Sequence, residues 1–372
     1  MSHNSNAKDV NPERASGIIP TAHAIYQFSR PHTMAGTTIS ILSISFLALQ
    51  GSSITVSIMM GLIQALASAL LMNISIVGTN QLFDIEIDKI NKPYLPLASG
   101  AFSITTGYLI VSTCTTLSLL IGWASGSVPL IATLTISFLL GLAYSADLPL
   151  MRWKRSPMLA ATCILAIRAI AVQLGFYWHM KHVMGGAGAI SSASLTGMLT
   201  SMSSLPAPII FTVSFMLFFS VVIALFKDIP DAQGDLKAGL MTLTVRMGNA
   251  VPFWTCIWLL TICYIGACGY SVVMASLWGP AAGHTVAAAL SSSGFSSATV
   301  VPTSFVAPAS LSMVAALPVK TLVSILGHAV LGTLLWTKAL KVDLSRKEDI
   351  TDCYMHIWKL FYAEYILIPF FA

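Results

Sequence analysis

Charge is what this sequence has least of. Of 372 residues only 9% are Asp, Glu, Lys or Arg, while 56% are hydrophobic and the mean hydropathy is +0.80. That balance argues against a soluble core and for an integral membrane protein, in which a span needs roughly 20 apolar residues. The long apolar runs also lack period-two polarity, which excludes a β-barrel and leaves helices that satisfy their own backbone hydrogen bonds. Paired cysteines are missing too. The six at 114, 163, 256, 263, 268 and 353 form no C-x-x-C and fall mostly inside apolar runs, so they read as small packing groups. The first thirty residues are polar, with neither an apolar signal core nor an Arg/Ser-rich transit stretch. The expectation is targeting by the first span, or a presequence that is short or missing.

What is present is a series of nine candidate spans: 36–50, 55–83, 104–123, 128–144, 157–178, 209–226, 251–277, 322–336 and 355–371. The predicted class is therefore an all-α membrane protein, with a polar segment at 1–30 ahead of a transmembrane domain at 31–372. Threading nine spans puts Arg14, Arg30, Lys89, Lys92, Arg152, Lys154, Arg155, Lys237, Arg246, Lys338, Lys341, Arg346 and Lys347 on one side of the membrane. Little beyond Lys181 and Lys320 falls on the other. So strong a bias is the positive-inside pattern, and the basic side should face cytoplasm, stroma or matrix. Two Gly/Ala/Ser-rich, uncharged stretches, 185–204 and 279–310, read as loop insertions on the opposite side.

The scarce acids follow the bases. "NQLFDIEID" (80–88) closes the second span with Asp84, Glu86 and Asp88, and "KDIPDAQGD" (227–235) closes the sixth with Asp228, Asp231 and Asp235. Positions four apart on a helix lie nearly above one another, so Asn80, Asp84 and Asp88 should form one stripe. In the second cluster Pro230 must kink the helix or open a new one. Carboxylates gathered this closely resist ionisation unless cations neutralise them. Hard oxygen ligands in excess suit Mg²⁺, which is commonly held by a few carboxylates plus substrate phosphates. Lys92, Arg152, Lys154 and Lys227 could share the charge of a diphosphate, a role a bare metal would not require. Ordinary interfacial loop charges would explain one such cluster, but two on the same side hold six of only fourteen acids.

These two motifs resemble the N-Q-x-x-D-x-x-x-D and K-D-x-x-D-x-x-G-D signatures of the UbiA superfamily of membrane prenyltransferases. "SRPHT" (29–33), "NKPYLPLASG" (91–100), "AYSADLPLMRWKR" (143–155), "FFSVVIALFKDIPD" (218–231) and "IWKLFYAEYILIPF" (357–370) are similar to its plant and algal homogentisate phytyltransferase branch. The resemblance implies nine helices ringed around a central cavity. It also implies transfer of a prenyl chain, phytyl or geranylgeranyl, from its diphosphate to the ring of homogentisate, with loss of the acceptor's carboxylate as carbon dioxide. By motif match, Asn80, Asp84, Asp88, Asp231 and Asp235 would hold two Mg²⁺ ions. Arg30, Lys92, Arg152, Lys154 and Lys227 would contact diphosphate, Asp228 would orient the acceptor or take its proton, and Tyr144 would shelter the allylic cation. A plastid membrane, with the site facing the stroma, is the implied location. A flavonoid, coumarin or phenolic-acid acceptor is the runner-up within this chemistry. A cation transporter is the alternative outside it, although transporter sites lie near the midplane rather than at span ends.

Three weaker signals remain. Arg168 sits mid-span in "ILAIRAIAVQLGFYW", where a charge usually faces a cavity or a partner. His179 and His182 in "YWHMKH" read as interfacial anchors. Tyr362 and Glu364 in "FYAEY" either line the cavity or pack in an aromatic belt.

Overall fold

The computed structural model describes residues 18–185, 205–278 and 319–371, with isolated positions 197 and 202. Residues 1–17 and most of both expected insertions lie outside the described residues. Among the described residues every regular element is helical.

Each of the nine expected spans is met by a helix. A short helix, α1 (Ile18–Phe28), precedes α2 (Pro31–Leu49), α3 (Val56–Phe83), a seven-residue α4 (Ile85–Asn91), α5 (Ile104–Ala124) and α6 (Val128–Ser145). The fifth span joins α7 (Pro157–Leu165) to α8 (Val172–Val183) through one π-helical turn, Ala166–Ala171. After α9 (Ala207–Phe226) come two short helices, α10 (Ala232–Lys237) and α11 (Leu243–Met247). Then follow α12 (Ala250–Trp278), α13 (Val319–Ala339) and α14 (Lys347–Leu367). Among the described residues eight helices are long and apolar enough to cross a membrane. The ninth, α14, begins earlier than its apolar run, and Lys347, Glu348, Asp349 and Asp352 in its first turns place its start in water.

Hydroxyl side chains fix several helix starts. Thr55, Ser103 and Ser127 accept from the amides of Ile58, Thr106 and Leu130 at 3.3, 3.0 and 3.4 Å, each satisfying a donor that would otherwise stay unpaired. Consecutive spans then pack side by side, α2 on α3, α3 on α5, α5 on α6, and so on through α12 and α13 to α14, and α14 packs back on α2. The ring therefore closes. Its outer face carries Leu109, Trp123, Ile265 and Leu326 exposed, as expected of side chains that meet acyl chains rather than water.

Two expectations change. His179 is fully buried, with Nδ1 2.9 Å from Ser127 Oγ and Nε2 3.0 Å from the Gly61 carbonyl. It ties α8 to the loop before α6 and to α3, and is no interfacial anchor. Glu364 does not line the cavity either. It pairs with His328 at 3.1 Å between α13 and α14, both side chains sealed. Tyr362 donates to the His32 carbonyl at 2.6 Å. The cysteines behave as expected: all six are free, and Cys163, Cys256, Cys263 and Cys353 are buried.

Candidate active site

The first acidic motif does not ride one straight helix. Asp84, at φ −119° and ψ 15°, ends α3 and starts α4. The Asp88 amide still reaches the Asp84 carbonyl at 2.7 Å, and Asn80 Nδ2 donates to Asp84 Oδ2 at 2.8 Å, so Asn80, Asp84 and Asp88 keep one side. All three line the same cavity. Glu86 points away, 82% exposed and paired with Lys89 at 2.7 Å. Only two of that stretch's three acids therefore belong to the site.

In the second motif Pro230 has no N–H to continue a helix. The long helix α9 stops at Phe226 and α10 opens at Ala232, with the Asp235 amide bonded to the Asp231 carbonyl at 3.0 Å. The two motifs meet because α4 packs on α10. Asn91 Nδ2 lies 3.5 Å from Asp235 Oδ1, and the Lys92 ammonium bonds Asp231. Gly234 makes this approach possible: a Cβ there would stand 2.1 Å from Asn91 Oδ1. From α14, Lys347 Nζ donates to the Asn91 carbonyl at 3.1 Å.

Four of the five inward acids are matched to a base, and Asp235 has the Asn91 amide instead. Lys154 bonds Asp84; Arg30 Nη2 lies 4.0 Å from Asp88 Oδ2 and donates to Asn80 Oδ1 at 3.3 Å. Lys227 lies 3.4 Å from Asp228 Oδ1 and donates to Tyr144 Oη at 2.6 Å, its ammonium 5.3 Å from the centre of that ring. Arg152 is the exception among the expected residues. It is not part of the cavity lining, and instead braces Asp84 from behind at 3.7 Å and donates to the Phe83 carbonyl at 3.5 Å. Both Arg30 and Arg152 hold left-handed backbone, φ 50° and 59°. That conformation is uncommon for a residue with a Cβ and persists where surrounding structure over-determines it, most often at functional sites.

These residues rim a cavity of about 1180 Å³ that continues inward to Arg168 and Trp358. Burial dominates the electrostatics of its mouth. It pushes Asp88 up to about 6 despite Arg30 and Lys92, and together with Asp231 and Asp228 it pushes Asp235 up to about 7. Burial also raises Asp228 against the pull of Lys227, and lowers Lys154 even beside Asp84. At Lys92 the outcome reverses: burial is outweighed, chiefly by Asp231, and the ammonium is held above its ordinary value.

Among the described residues no three His, Cys, Asp or Glu side chains converge tightly enough, as they lie, to hold a metal ion. The reason is visible in the pairs above: Asp84, Asp88, Asp228 and Asp231 each lean toward a base. The donor set nevertheless fits a hard cation. It consists of oxygens alone, and Asp88 Oδ2 and Asn91 Oδ1 are buried with no hydrogen-bond partner.

A model of the UbiA prenyltransferase family matches residues 37–298. This chain belongs to that family. It is 44% identical over 349 residues to homogentisate phytyltransferase 1, chloroplastic, of Arabidopsis thaliana, covering 93% of this chain and 75% of that one. It is 41% identical to a homogentisate geranylgeranyltransferase of Triticum aestivum, covering 97% and 76%. Among solved structures it resembles a UbiA homologue from Archaeoglobus fulgidus bound to GPP and Mg²⁺, with a TM-score of 0.52 at 16% identity, covering 93% of this chain and 99% of that one. The shared fold is that of this prenyltransferase family.

The structure gives a role to two motif residues that had none, Asn91 and Gly234, which join the two acidic segments, and it adds Arg155, Tyr354 and Lys347 to the cavity lining. The spacing of "AQGD" carries a hint of Gly234, but nothing local in the sequence says that Asn91 is what it must accommodate.

Proposed function

We propose that this chain transfers a phytyl group from its diphosphate to the aromatic ring of homogentisate, with loss of the acceptor's carboxylate as carbon dioxide, in a plastid membrane with the cavity mouth toward the stroma. One observation carries the reading: two acidic helix ends, ringed by lysines and arginines, meet at the mouth of one apolar-walled cavity. That juxtaposition suits an anionic headgroup on a long apolar tail. The names of the relatives supply the acceptor and the compartment.

Asn80, Asp84, Asp88, Asp231 and Asp235 would hold Mg²⁺ through oxygen atoms. When bound, the ions neutralise the diphosphate and ease its departure. In this account the side-chain pairs at the mouth are a resting arrangement. With the acids engaged by metal, Lys92, Lys154 and Arg30 would be available to phosphate oxygens, while Arg152 would keep Asp84 aimed from behind. Charge building on the leaving group is thus met by donors already in place.

Tyr144 offers its ring face to the allylic cation. Lys227 holds that ring from its edge, donating to the hydroxyl at 2.6 Å. Asp228, raised by burial, is suited to take the proton released when the electron-rich ring is alkylated. The apolar walls further in exclude the water that would otherwise quench the cation.

Membranes carrying the protein, supplied with labelled phytyl diphosphate, Mg²⁺ and a panel of acceptors, test this reading. Magnesium-dependent labelling of homogentisate is expected. No turnover of homogentisate, with turnover of a flavonoid, coumarin or phenolic acid, would move the assignment to that acceptor class.

A further inference from the structure

Among the described residues, Arg168 is the cation of the cavity that lies within a membrane span, away from the mouth. It lies in the middle of the span Met158–Val183, on the π-helical turn Ala166–Ala171, a local widening that recurs at functional sites. Its guanidinium stands 4.8 Å from the centre of the Trp358 ring and lines the same cavity as Asp84 and Asp88. Among the described residues no Asp or Glu forms an ion pair with it, whereas Arg30, Lys92, Lys154 and Lys227 each have one. The ionisable groups facing it are His32, Tyr354, Tyr365 and Tyr362, none of them a carboxylate. His32 stands edge-on to Trp358 with ring centres 5.1 Å apart, completing an aromatic box.

A lone guanidinium at this depth is costly, and one aromatic face offsets only part of its desolvation. It is also an obstacle to the chemistry. An allylic cation formed in the same low-dielectric chamber would be repelled by an unneutralised charge. An incoming anion removes both difficulties. The diphosphate has its own bases at the mouth, so the anion that belongs here arrives on the other substrate.

We propose that Arg168 is the docking point for the carboxylate of the aromatic acceptor. The guanidinium fork is paired to the acid while Trp358 and His32 pack the ring. This rests on the prenyl-transfer reading above and extends it to the class of acceptor: an aromatic acid with its charge on a side arm, as in homogentisate, is favoured over a neutral phenol of the same shape. The pairing neutralises Arg168 before the allylic cation forms and turns the ring toward the mouth. A planar fork matches a carboxylate bidentately in a way an ammonium does not.

The test compares homogentisate with its neutral methyl ester, using the full chain in detergent or membranes with phytyl diphosphate and Mg²⁺. In Arg168→Gln, KM for homogentisate should rise roughly 10- to 100-fold, the scale of a lost hydrogen bond to a charged group. The ester has no carboxylate to lose as carbon dioxide, so it is read by equilibrium binding, and the affinity ratio of acid to ester should fall by a similar factor. Arg168→Lys should lie between the two. An acid-to-ester ratio unchanged in Arg168→Gln overturns the proposal. If that variant does not fold, the ratio in Arg168→Lys decides in the same way. Equilibrium binding of homogentisate separates this inference from the function beneath it. Should the wild type prenylate no aromatic acceptor, the transferase reading fails, and binding that is lost in Arg168→Gln would still support the subsite. Equal binding by both, or none by the wild type, would remove it.

Discussion

The cavity mouth and the seam between α13 and α14 both bury ionisable groups, and they do it in opposite ways. At the seam, one acid meets one base: Glu364 and His328, 1% and 0% exposed, neither lining the cavity of the acidic motifs. At the mouth, Asp84, Asp88, Asp228 and Asp231 each lie beside a cation, the partners differ in kind, and every acid opens on a shared chamber. A sealed pair has nothing to exchange with, so its role is to join two helices. An open set of pairs can be broken by a ligand that offers each member something better. The difference teaches that burial alone does not mark a functional charge. Access to a common space does.

The largest effect expected from this contrast is on chemistry at the mouth. Asp84→Ala and Asp235→Ala should each lower turnover by roughly 10²- to 10³-fold or more, the scale of a lost electrostatic contact to a transition state. The thermal unfolding midpoint in detergent should move little. A variant that keeps wild-type turnover would place that acid with the structural pairs.

Next comes the opposite pattern at the seam. Glu364→Ala leaves His328 without its acid, and breaking one side of a buried pair costs about 3–5 kcal/mol. The unfolding midpoint should drop while the folded fraction keeps its specific activity. Loss of activity without loss of stability would show that the seam communicates with the cavity.

A smaller effect follows from Asp88 and Asp235, raised to about 6 and about 7. A metal must displace their protons, so the Mg²⁺ concentration for half-maximal rate should rise roughly tenfold or more between pH 8 and pH 6. The sign is opposite for folding without metal. Carboxyls that bind protons more tightly in the native state than in the unfolded chain contribute stability at low pH, and lose it as pH rises from their ordinary value near 3.8 through 6 and 7. A metal requirement flat across that range would contradict the assignment of these acids as ligands.

Much of this was legible in the sequence, for identifiable reasons. Spans announce themselves by hydropathy, and Pro230 announced the break between α9 and α10 by lacking an amide proton. The acids of both motifs stood out because charge is so scarce elsewhere. Other features depend on a partner distant in sequence and carry no local mark. Glu86 is not among them, because the helical period that lines up Asn80, Asp84 and Asp88 already sets it on another side. His179 resembles an interfacial residue by position, and only Gly61 and Ser127 on other elements make it a buried tie. Gly234 is explained only by Asn91, and Arg152 looks like a cavity residue until Phe83 and Asp84 are seen in front of it.

The smallest effect expected is at that same outward acid. Glu86→Gln removes an exposed pair with Lys89, worth between nothing and about 1 kcal/mol. Turnover and stability should both stay near wild type. A large loss of turnover would mean that the stretch 84–88 works as a unit and that direction of the side chain is no guide.

The central claim is that the helix ends bearing Asp84 and Asp235 grip one headgroup together. A double-mutant cycle on Mg²⁺-dependent binding of an unreactive phytyl thiolodiphosphate tests it most directly, using Asp84→Ala, Asp235→Ala and the pair. Cooperation on one ligand predicts that the double variant binds about as weakly as either single one, a coupling well above the roughly 0.5 kcal/mol of independent sites. Losses that simply add would mean that the two ends act on separate targets, and the shared site would have to be abandoned.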